Sequence, residues 1–292
     1  MISNTFKEVA ERWWEESEGD LARQSVPSYR KAMESAIEYF SLTPIQNITP
    51  VGVQAYLRFL ASKKYSYTTV SQRRVVLNLI CKYAVINGIM SINPCSDVVT
   101  PKGLSKKSRP PATYSDEDIV RNNDGIWIFY SLILLAGLRK GEALALRPMD
   151  VDFENNLIFV RASVASDRGQ PYIKIPKTES GMRTVPLLPK LKQRLLAELP
   201  LAPTAYFCNR EKVPMDHNKF AQREALEKKR FGITSTPHQF RHSFATICFE
   251  RGVSPKATQA MLGHKNVSTT LDIYTEARAR RLAQEADVLS DL

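Results

Sequence analysis

The chain has 292 residues, of which 43% are hydrophobic and 24% charged, and this composition is typical of a soluble globular protein with one large or two medium-sized domains. Lys and Arg number 41 against 30 Asp and Glu, so the net charge is +11. This charge favours a polyanionic partner such as nucleic acid, although good solubility alone would also account for it. The four cysteines are scattered without CxxC spacing, so the sequence indicates neither a zinc knuckle nor a disulfide framework.

Neither targeting nor membrane insertion is indicated by the apolar segments. The N-terminal stretch MISNTFKEVAERWW is acidic and amphipathic, unlike a signal peptide. The longest apolar run, IWIFYSLILLAGL at 126–138, is shorter than an ordinary membrane span and predicts a buried helix. We therefore expect a cytoplasmic protein without a membrane partner, associated with the nucleoid if its partner is DNA.

Helical spacing of apolar residues predicts a helical domain over residues 1–101. Thr49 before Pro50 marks a helix start, and Asn87 before Gly88 marks a helix end. The predicted helices are roughly 4–18, 26–40, 50–62 and 69–87. Basic residues lie on or just before the last of them: Lys63, Lys64, Arg73, Arg74 and Lys82. They form either a solvated surface or contacts to a DNA backbone.

A segment rich in proline and basic residues predicts a linker over 102–112, so that a second domain begins at 113 and runs to 292. This domain combines helices with a small antiparallel sheet between 151 and 187, which includes a turn at Asn155 and Asn156. The predicted helices begin near 115 and in the buried run, and continue near 188–198, 216–230, 237–251, 254–262 and 268–288. The fold class is therefore mainly α with a small antiparallel β-sheet.

The stretch HQFRH places His238, Arg241 and His242 opposite the apolar stripe of a helix that begins near Pro237. Free backbone N–H groups in a first helical turn favour an anion, so this face suits a phosphate. The two histidines also have the spacing of a zinc site, or they are ordinary polar helix residues. Because Gln239 stands where an HExxH motif has glutamate, a metalloprotease is not favoured, and we predict no metal site.

Further positions outside this stretch are candidate site residues, and most of them have both a structural and a functional interpretation. Arg139 follows the buried run and needs an acceptor, so Glu142 either forms a local ion pair with it or holds its guanidinium ready for a phosphate. Lys177 lies in a loop between two predicted strands, where a lysine is either solvated or functional. His264 follows a predicted helix end at Gly263, and Tyr274 in the next helix either packs or reacts.

The motifs AGLRKGEALAL, the loop lysine, HQFRH, LGH and LDIYTE occur in an order and at intervals that resemble the tyrosine recombinase (phage integrase) family. The resemblance covers about 113–276, and the N-terminal part is similar to the core-type, SAM-like DNA-binding domain of that family. It implies a helical core-binding domain followed by an α+β catalytic domain with a C-terminal tail helix at 276–292. Phe240, where leucine is more usual, and the RPMD stretch depart from the family pattern without removing a catalytic group.

The resemblance implies a set of catalytic residues: Arg139, Lys177, His238, Arg241, His264 and Tyr274. It implies that Glu142 supports the first arginine, and His242 is assigned a supporting role outside the reacting groups.

The resemblance also implies a chemistry for this set. Tyr274 attacks the DNA phosphorus, and His238 accepts its proton, because a tyrosine hydroxyl with a reference pKa of about 10 is a poor nucleophile at neutral pH. The arginines and His264 stabilise the growing charge on the phosphate oxygens, and Lys177 protonates the departing 5′ oxygen.

The implied function is site-specific recombination through a 3′-phosphotyrosyl link, by which a mobile element is integrated or excised without metal, ATP or any other cofactor. The alternatives are a Xer-like resolvase, a type IB topoisomerase, and a catalytically silent DNA-binding regulator. The expected partners are double-stranded attachment sites, three further protomers in a synaptic tetramer assembled from free monomers, and an accessory DNA-bending protein. The tail stripe of Leu282, Ala286 and Leu289 packs on its own chain or docks on a neighbouring protomer.

Overall fold

A computed structural model describes residues 4–21, 25–104, 110–167, 169–175, 182–264 and 266–289. For residues 280, 281 and 283–289 it describes the backbone only. The chain divides into two compact units, Met1–Ser108 and Arg109–Leu292. The division falls inside the predicted linker at 102–112.

The described part of the first unit is helical: α1 (Phe6–Ser17), α2 (Val26–Phe40), α3 (Pro50–Ser62) and α4 (Tyr67–Ile86). Side-chain hydroxyls fix the starts of α1, α3 and α4, because Thr5, Thr49 and Ser66 each accept a hydrogen bond from a backbone N–H of the first turn. The predicted helices over this region differ from these bounds by at most two residues. Their apolar faces enclose one core, which includes Phe6, Trp13, Tyr56, Leu57, Leu77 and Ile80.

The second unit contains most of the described helices: α5 (Tyr114–Asn122), α6 (Ile128–Ala136), α7 (Lys140–Ala145), α8 (Pro189–Ala197), α9 (His217–Phe231), α10 (Pro237–Glu250), α11 (Pro255–Leu262) and α12 (Val267–Leu289). The predicted buried helix is α6, which packs against α8 and α10 and ends at Gly137 in the left-handed region. The tail predicted at 276–292 continues α12 without a break as far as Leu289. Among the described helices, none is both long and apolar enough to cross a membrane.

The strands of the second unit are β1 (Val151–Asp152), β2 (Leu157–Val160), β3 (Ser163–Asp167), β4 (Gln170–Lys174) and β5 (Arg183–Pro186). Their pairing is antiparallel, as predicted, but within the described residues they form two sheets, β1-β2-β5 and β3-β4, where the sequence predicted one. Gly169, with φ of +84°, allows a tight turn after β3. Because β4 therefore pairs with β3, the segment that contains Lys177 connects strands of two different sheets.

Candidate active site

Arg139 lies at the junction of α6 and α7 and forms the predicted pair with Glu142. Its Nη1 donates to Oε1 of Glu142 at 2.8 Å, and its backbone N–H donates to Oε2 at 2.7 Å. Nη2 donates to the Gly263 carbonyl at 2.6 Å. Its side chain is still 45% exposed. The local ion pair therefore exists and leaves N–H groups of the guanidinium open to a ligand.

Arg241 lies on α10 but differs from the expectation of a solvent-facing phosphate contact, because it is buried. Its guanidinium donates to the carbonyls of Gly137 and Leu262, which terminate α6 and α11. The last carbonyls of a helix have no intrahelical partner, so they are natural acceptors for a buried cation. His238, in the first turn of α10, is exposed as expected.

A third arginine, Arg183 on β5, was not identified from the sequence. Its Nη1 and Nη2 donate to the two carboxylate oxygens of Glu142 at 2.9 and 2.7 Å, and its Nε donates to the Met261 carbonyl at 2.6 Å. The signal that could have revealed it is strand alternation, because Arg183 shares a face with the buried Val185. Burial alone would raise the pKa of Glu142, but the hydrogen bonds and charge of Arg183, assisted by Arg139, lower it to about 2.

The carboxyl end of α11 gathers these arginines. Three successive carbonyls, from Met261 to Gly263, accept hydrogen bonds from Arg183, Arg241 and Arg139 in turn. Glu142 lies 3.9 Å from Arg241 through its Oε2, so within the described chain three guanidiniums surround one carboxylate. A net positive charge remains, which favours a bound anion.

Both Arg241 and His264 have lowered pKa values in this cluster. Burial, followed by the charge of Arg139, lowers the pKa of Arg241 to about 9 against the opposing effect of Glu142, so Arg241 stays protonated at neutral pH. Burial, and then the charges of Arg241 and the other cations, lowers the pKa of His264 to about 4. His264 is therefore neutral at pH 7, with its Nδ1 2.9 Å from the Thr270 hydroxyl.

Tyr274 lies on α12, and its hydroxyl points to a different group of residues. It donates to the Val253 carbonyl at 2.8 Å and lies 2.6 Å from Oγ1 of Thr258, which must then be the donor in that second bond. Burial raises the pKa of Tyr274, and the Thr258 bond partly offsets this effect. Within the described residues, the hydroxyl thus bonds to neutral groups of α11 and of the connection before it, and to none of the arginines.

Of the two remaining predicted site residues, the structure describes His242 but not Lys177. His242 places its Nε2 3.8 Å from Oε2 of Glu276, which ties α10 to α12 two residues beyond the tyrosine. Lys177 lies outside the described residues. The structure thus brings Arg139, Glu142, Arg241 and His264 together.

The basic residues of the first unit remain candidates for DNA contact, with one exception. Lys63, Lys64 and Lys82 are exposed, and Arg73 stacks 4.1 Å from the centre of the Tyr65 ring. Arg74 is partly buried, and its Nη1 donates to the Val98 carbonyl at 2.7 Å. Because its guanidinium already has this acceptor within the chain, Arg74 is a weaker candidate than the other four.

Comparison with known proteins shows which family the chain resembles in sequence. The sequence model of the phage integrase family matches residues 123–281, and the model of the phage integrase N-terminal SAM-like domain matches residues 5–61. A XerC-like tyrosine recombinase of Caldanaerobacter subterraneus is 30% identical over 288 residues, covering 85% of this chain and 72% of its own. The transposase from transposon Tn916 of Enterococcus faecalis is 26% identical over 291 residues, covering 86% of this chain and 71% of its own.

A solved structure shows the same fold. The integrase of transposon Tn1549, in complex with transposon right end DNA, has a TM-score of 0.75 at 22% identity and covers 96% of this chain and 100% of its own. Fold and site together define an enzyme of the tyrosine recombinase type. The chain belongs to the phage integrase family, which confirms the resemblance found in the motifs.

Proposed function

We propose that the protein integrates or excises a mobile DNA element by cleaving and rejoining DNA strands through a 3′-phosphotyrosyl intermediate on Tyr274. The observation that carries this proposal is the cluster of three guanidiniums around Glu142 at the carboxyl end of α11, beside a neutral His264. The exposed guanidinium of Arg139, backed by the positive charge of the two buried arginines, suits one phosphate diester. The proposed role of the protein in moving a DNA element is supported by its similarity to the transposase from transposon Tn916.

In the proposed reaction, the exposed N–H groups of Arg139 bind the nonbridging oxygens of the scissile phosphate, and Arg241 adds positive charge behind it. The phenolic oxygen of Tyr274 forms a bond to phosphorus while the bond to the 5′ oxygen breaks. His238 accepts the phenolic proton, and Lys177 supplies a proton to the departing oxygen. Because one ester replaces another, religation needs no nucleotide.

Tyr274 cannot react while its hydroxyl donates to Val253. The proposed reaction therefore includes a movement of α12, or of the α10–α11 connection, that breaks this bond and brings the hydroxyl to the phosphate. The His242–Glu276 pair crosses the same pair of helices, so this movement also changes it.

The proposed substrate is a pair of duplex attachment sites held by four protomers, with free monomers in solution and an accessory protein to bend the DNA. A Xer-like resolvase is a second candidate, favoured by the XerC-like relative. Strand transfer between an attachment site and an unrelated target supports integration, whereas resolution of direct repeats alone supports the second candidate.

Covalent trapping tests the proposal. Duplexes that bind the protein are enriched from a random fragment library and sequenced, and a nicked version of the selected site is then incubated with the protein. The intact protein and the matched variant Tyr206→Phe, which changes another buried tyrosine of the second unit, are expected to form a covalent DNA adduct. Tyr274→Phe is expected to bind the DNA without forming one. Binding without any adduct in the intact protein would instead support a silent DNA-binding regulator.

A further inference from the structure

Arg183 is built into the site in a way that separates it from Arg139. Each of its three nitrogens has a protein acceptor, on Glu142 or Met261, and its side chain is only 6% exposed. Arg139, with a side chain 45% exposed, presents its guanidinium outward. Arg183 therefore does not reach a bound DNA strand, and its contribution must pass through the residues it holds.

Arg183 acts most directly on Glu142, whose carboxylate accepts two of its hydrogen bonds. Oε1 accepts from Nη1 of both Arg139 and Arg183, at 2.8 and 2.9 Å. Oε2 accepts from the Arg139 backbone N–H and from Nη2 of Arg183, at 2.7 Å each. This bidentate ion pair with Arg183 fixes the plane of the Glu142 carboxylate. The orientation of that plane sets the direction in which Glu142 holds the guanidinium of Arg139.

The surrounding elements explain why this support is needed. α7, which carries Glu142, has six residues, and an isolated helix of that length is not stable in water. Arg183 anchors it to β5 on one side and, through Met261, to the carboxyl end of α11 on the other. The same end of α11 also binds Arg139 through Gly263.

We propose that Arg183 is a positioning residue, which fixes the guanidinium of Arg139 at the scissile phosphate through Glu142 and the carboxyl end of α11. This proposal rests on the proposed function. A displacement of about 1 Å at a reacting group costs about 100-fold in rate. Loss of the bidentate pair between Arg183 and Glu142 should therefore slow cleavage much more than it weakens DNA binding.

The test compares Arg183→Lys with the matched control Arg194→Lys. Arg194 is an equally buried arginine of the same unit whose guanidinium donates to the carbonyls of Val120, Arg121 and Asn123, away from the cluster. On the nicked selected duplex at saturating protein, Arg183→Lys is expected to lower the rate of adduct formation about 100-fold and to change the DNA Kd less than about threefold. Arg194→Lys is expected to keep the cleavage rate per folded molecule.

A second mutation shows whether Arg183 acts through Arg139. In the Arg139→Lys background, adding Arg183→Lys is expected to change the remaining rate less than about threefold, because the group it positions is gone. A further 100-fold loss there, or a normal rate for Arg183→Lys alone, would overturn the proposal. An equal loss in DNA affinity would overturn it as well.

Two outcomes concern folding and the proposed function. If Arg183→Lys does not fold, Arg183→Gln, which can still donate to Glu142, is measured in the same way; failure of both to fold while Arg194→Lys folds makes Arg183 a folding determinant and rejects the proposal. If the intact protein forms no adduct, the proposed function fails. The proposal on Arg183 is then decided by the guanidinium NMR signals of Arg139, which are expected to be those of a fixed side chain in the intact protein and of a freely rotating one in Arg183→Lys.

Discussion

Tyr274, the proposed nucleophile, has its hydroxyl bonded to Val253 and Thr258 and to none of the described arginines. Burial raises its pKa and so favours the neutral phenol, while its hydrogen bonds to Val253 and Thr258 fix the position of the hydroxyl. The cations that would stabilise the transition state are already gathered at the end of α11. At the residue scale, the chain therefore holds its cationic side chains assembled and the hydroxyl of its proposed nucleophile bonded elsewhere.

Thr258→Val tests the contribution of this docking. Valine keeps the shape of the threonine but removes the hydroxyl that donates to Tyr274. A hydrogen bond contributes about 0.5–1.5 kcal/mol, so its loss is expected to speed adduct formation on nicked DNA by about two- to tenfold. The control is Thr275→Val, which changes an exposed threonine next to Tyr274 on α12 whose hydroxyl donates to the Leu271 carbonyl. A cleavage rate in Thr258→Val that matches the control or falls below it contradicts this account.

At the scale of elements, the carboxyl end of α11 depends on Gly263. This residue has φ of +64°, and a Cβ added to it would lie 3.1 Å from Cδ of Arg183. A left-handed conformation costs a residue with a side chain about 1–2 kcal/mol, so Gly263→Ala is expected to lower the free energy of unfolding by about that amount. It is also expected to shift Arg183 and so to slow cleavage.

Gly252→Ala is the matched control for this prediction. Gly252 has φ of +73°, with open space around the position of an added Cβ. Denaturant unfolding should show a similar loss of stability in both variants, whereas adduct formation should slow in Gly263→Ala alone. Equal cleavage rates in the two folded variants would show that the contact with Arg183 does not matter.

The elements themselves were largely predictable from the sequence, because their limits are set by local chemistry. The Thr49–Pro50 start of α3 and the Gly263 end of α11 follow from capping and left-handed geometry, and apolar periodicity gives the buried face of α6. The pair of Arg183 with Glu142 was not predicted, since it joins residues 41 positions apart. Nor does local chemistry choose between pairing β5 with β4 and pairing it with β2, which is why the sheet was predicted as one.

In the candidate site, too, contacts between residues close in sequence were predictable and contacts between distant residues were not. Arg139 with Glu142 is a contact between residues three positions apart, and spacing alone suggested it. The burial of Arg241 and the docking of Tyr274 depend on how α6, α10, α11 and α12 pack, which no spacing within one helix reveals. Tertiary packing therefore determines which of the predicted groups are assembled.

At the scale of the whole molecule, the tail of α12 is the natural candidate for contact between protomers. Leu282 is 56% exposed, while the side chains of Ala286 and Leu289 lie outside the described residues. Deleting residues 280–292 is expected to leave binding to a single DNA site intact and to weaken the pairing of two sites. Gel-shift titration with one and with two duplexes separates these effects. Unchanged recombination by the shortened protein would count against a tail that docks on a neighbour.

The three arginines recognise α11 through its carbonyl oxygens, which every amino acid possesses. Exchanges of Met261 or Leu262 for other apolar residues should accordingly be tolerated by the catalytic centre. An insertion or deletion of one residue within α11 would instead rotate its last turn by about 100° and give each guanidinium the wrong oxygen. Among natural variants of this protein, length should therefore be under much stricter selection in that helix than identity.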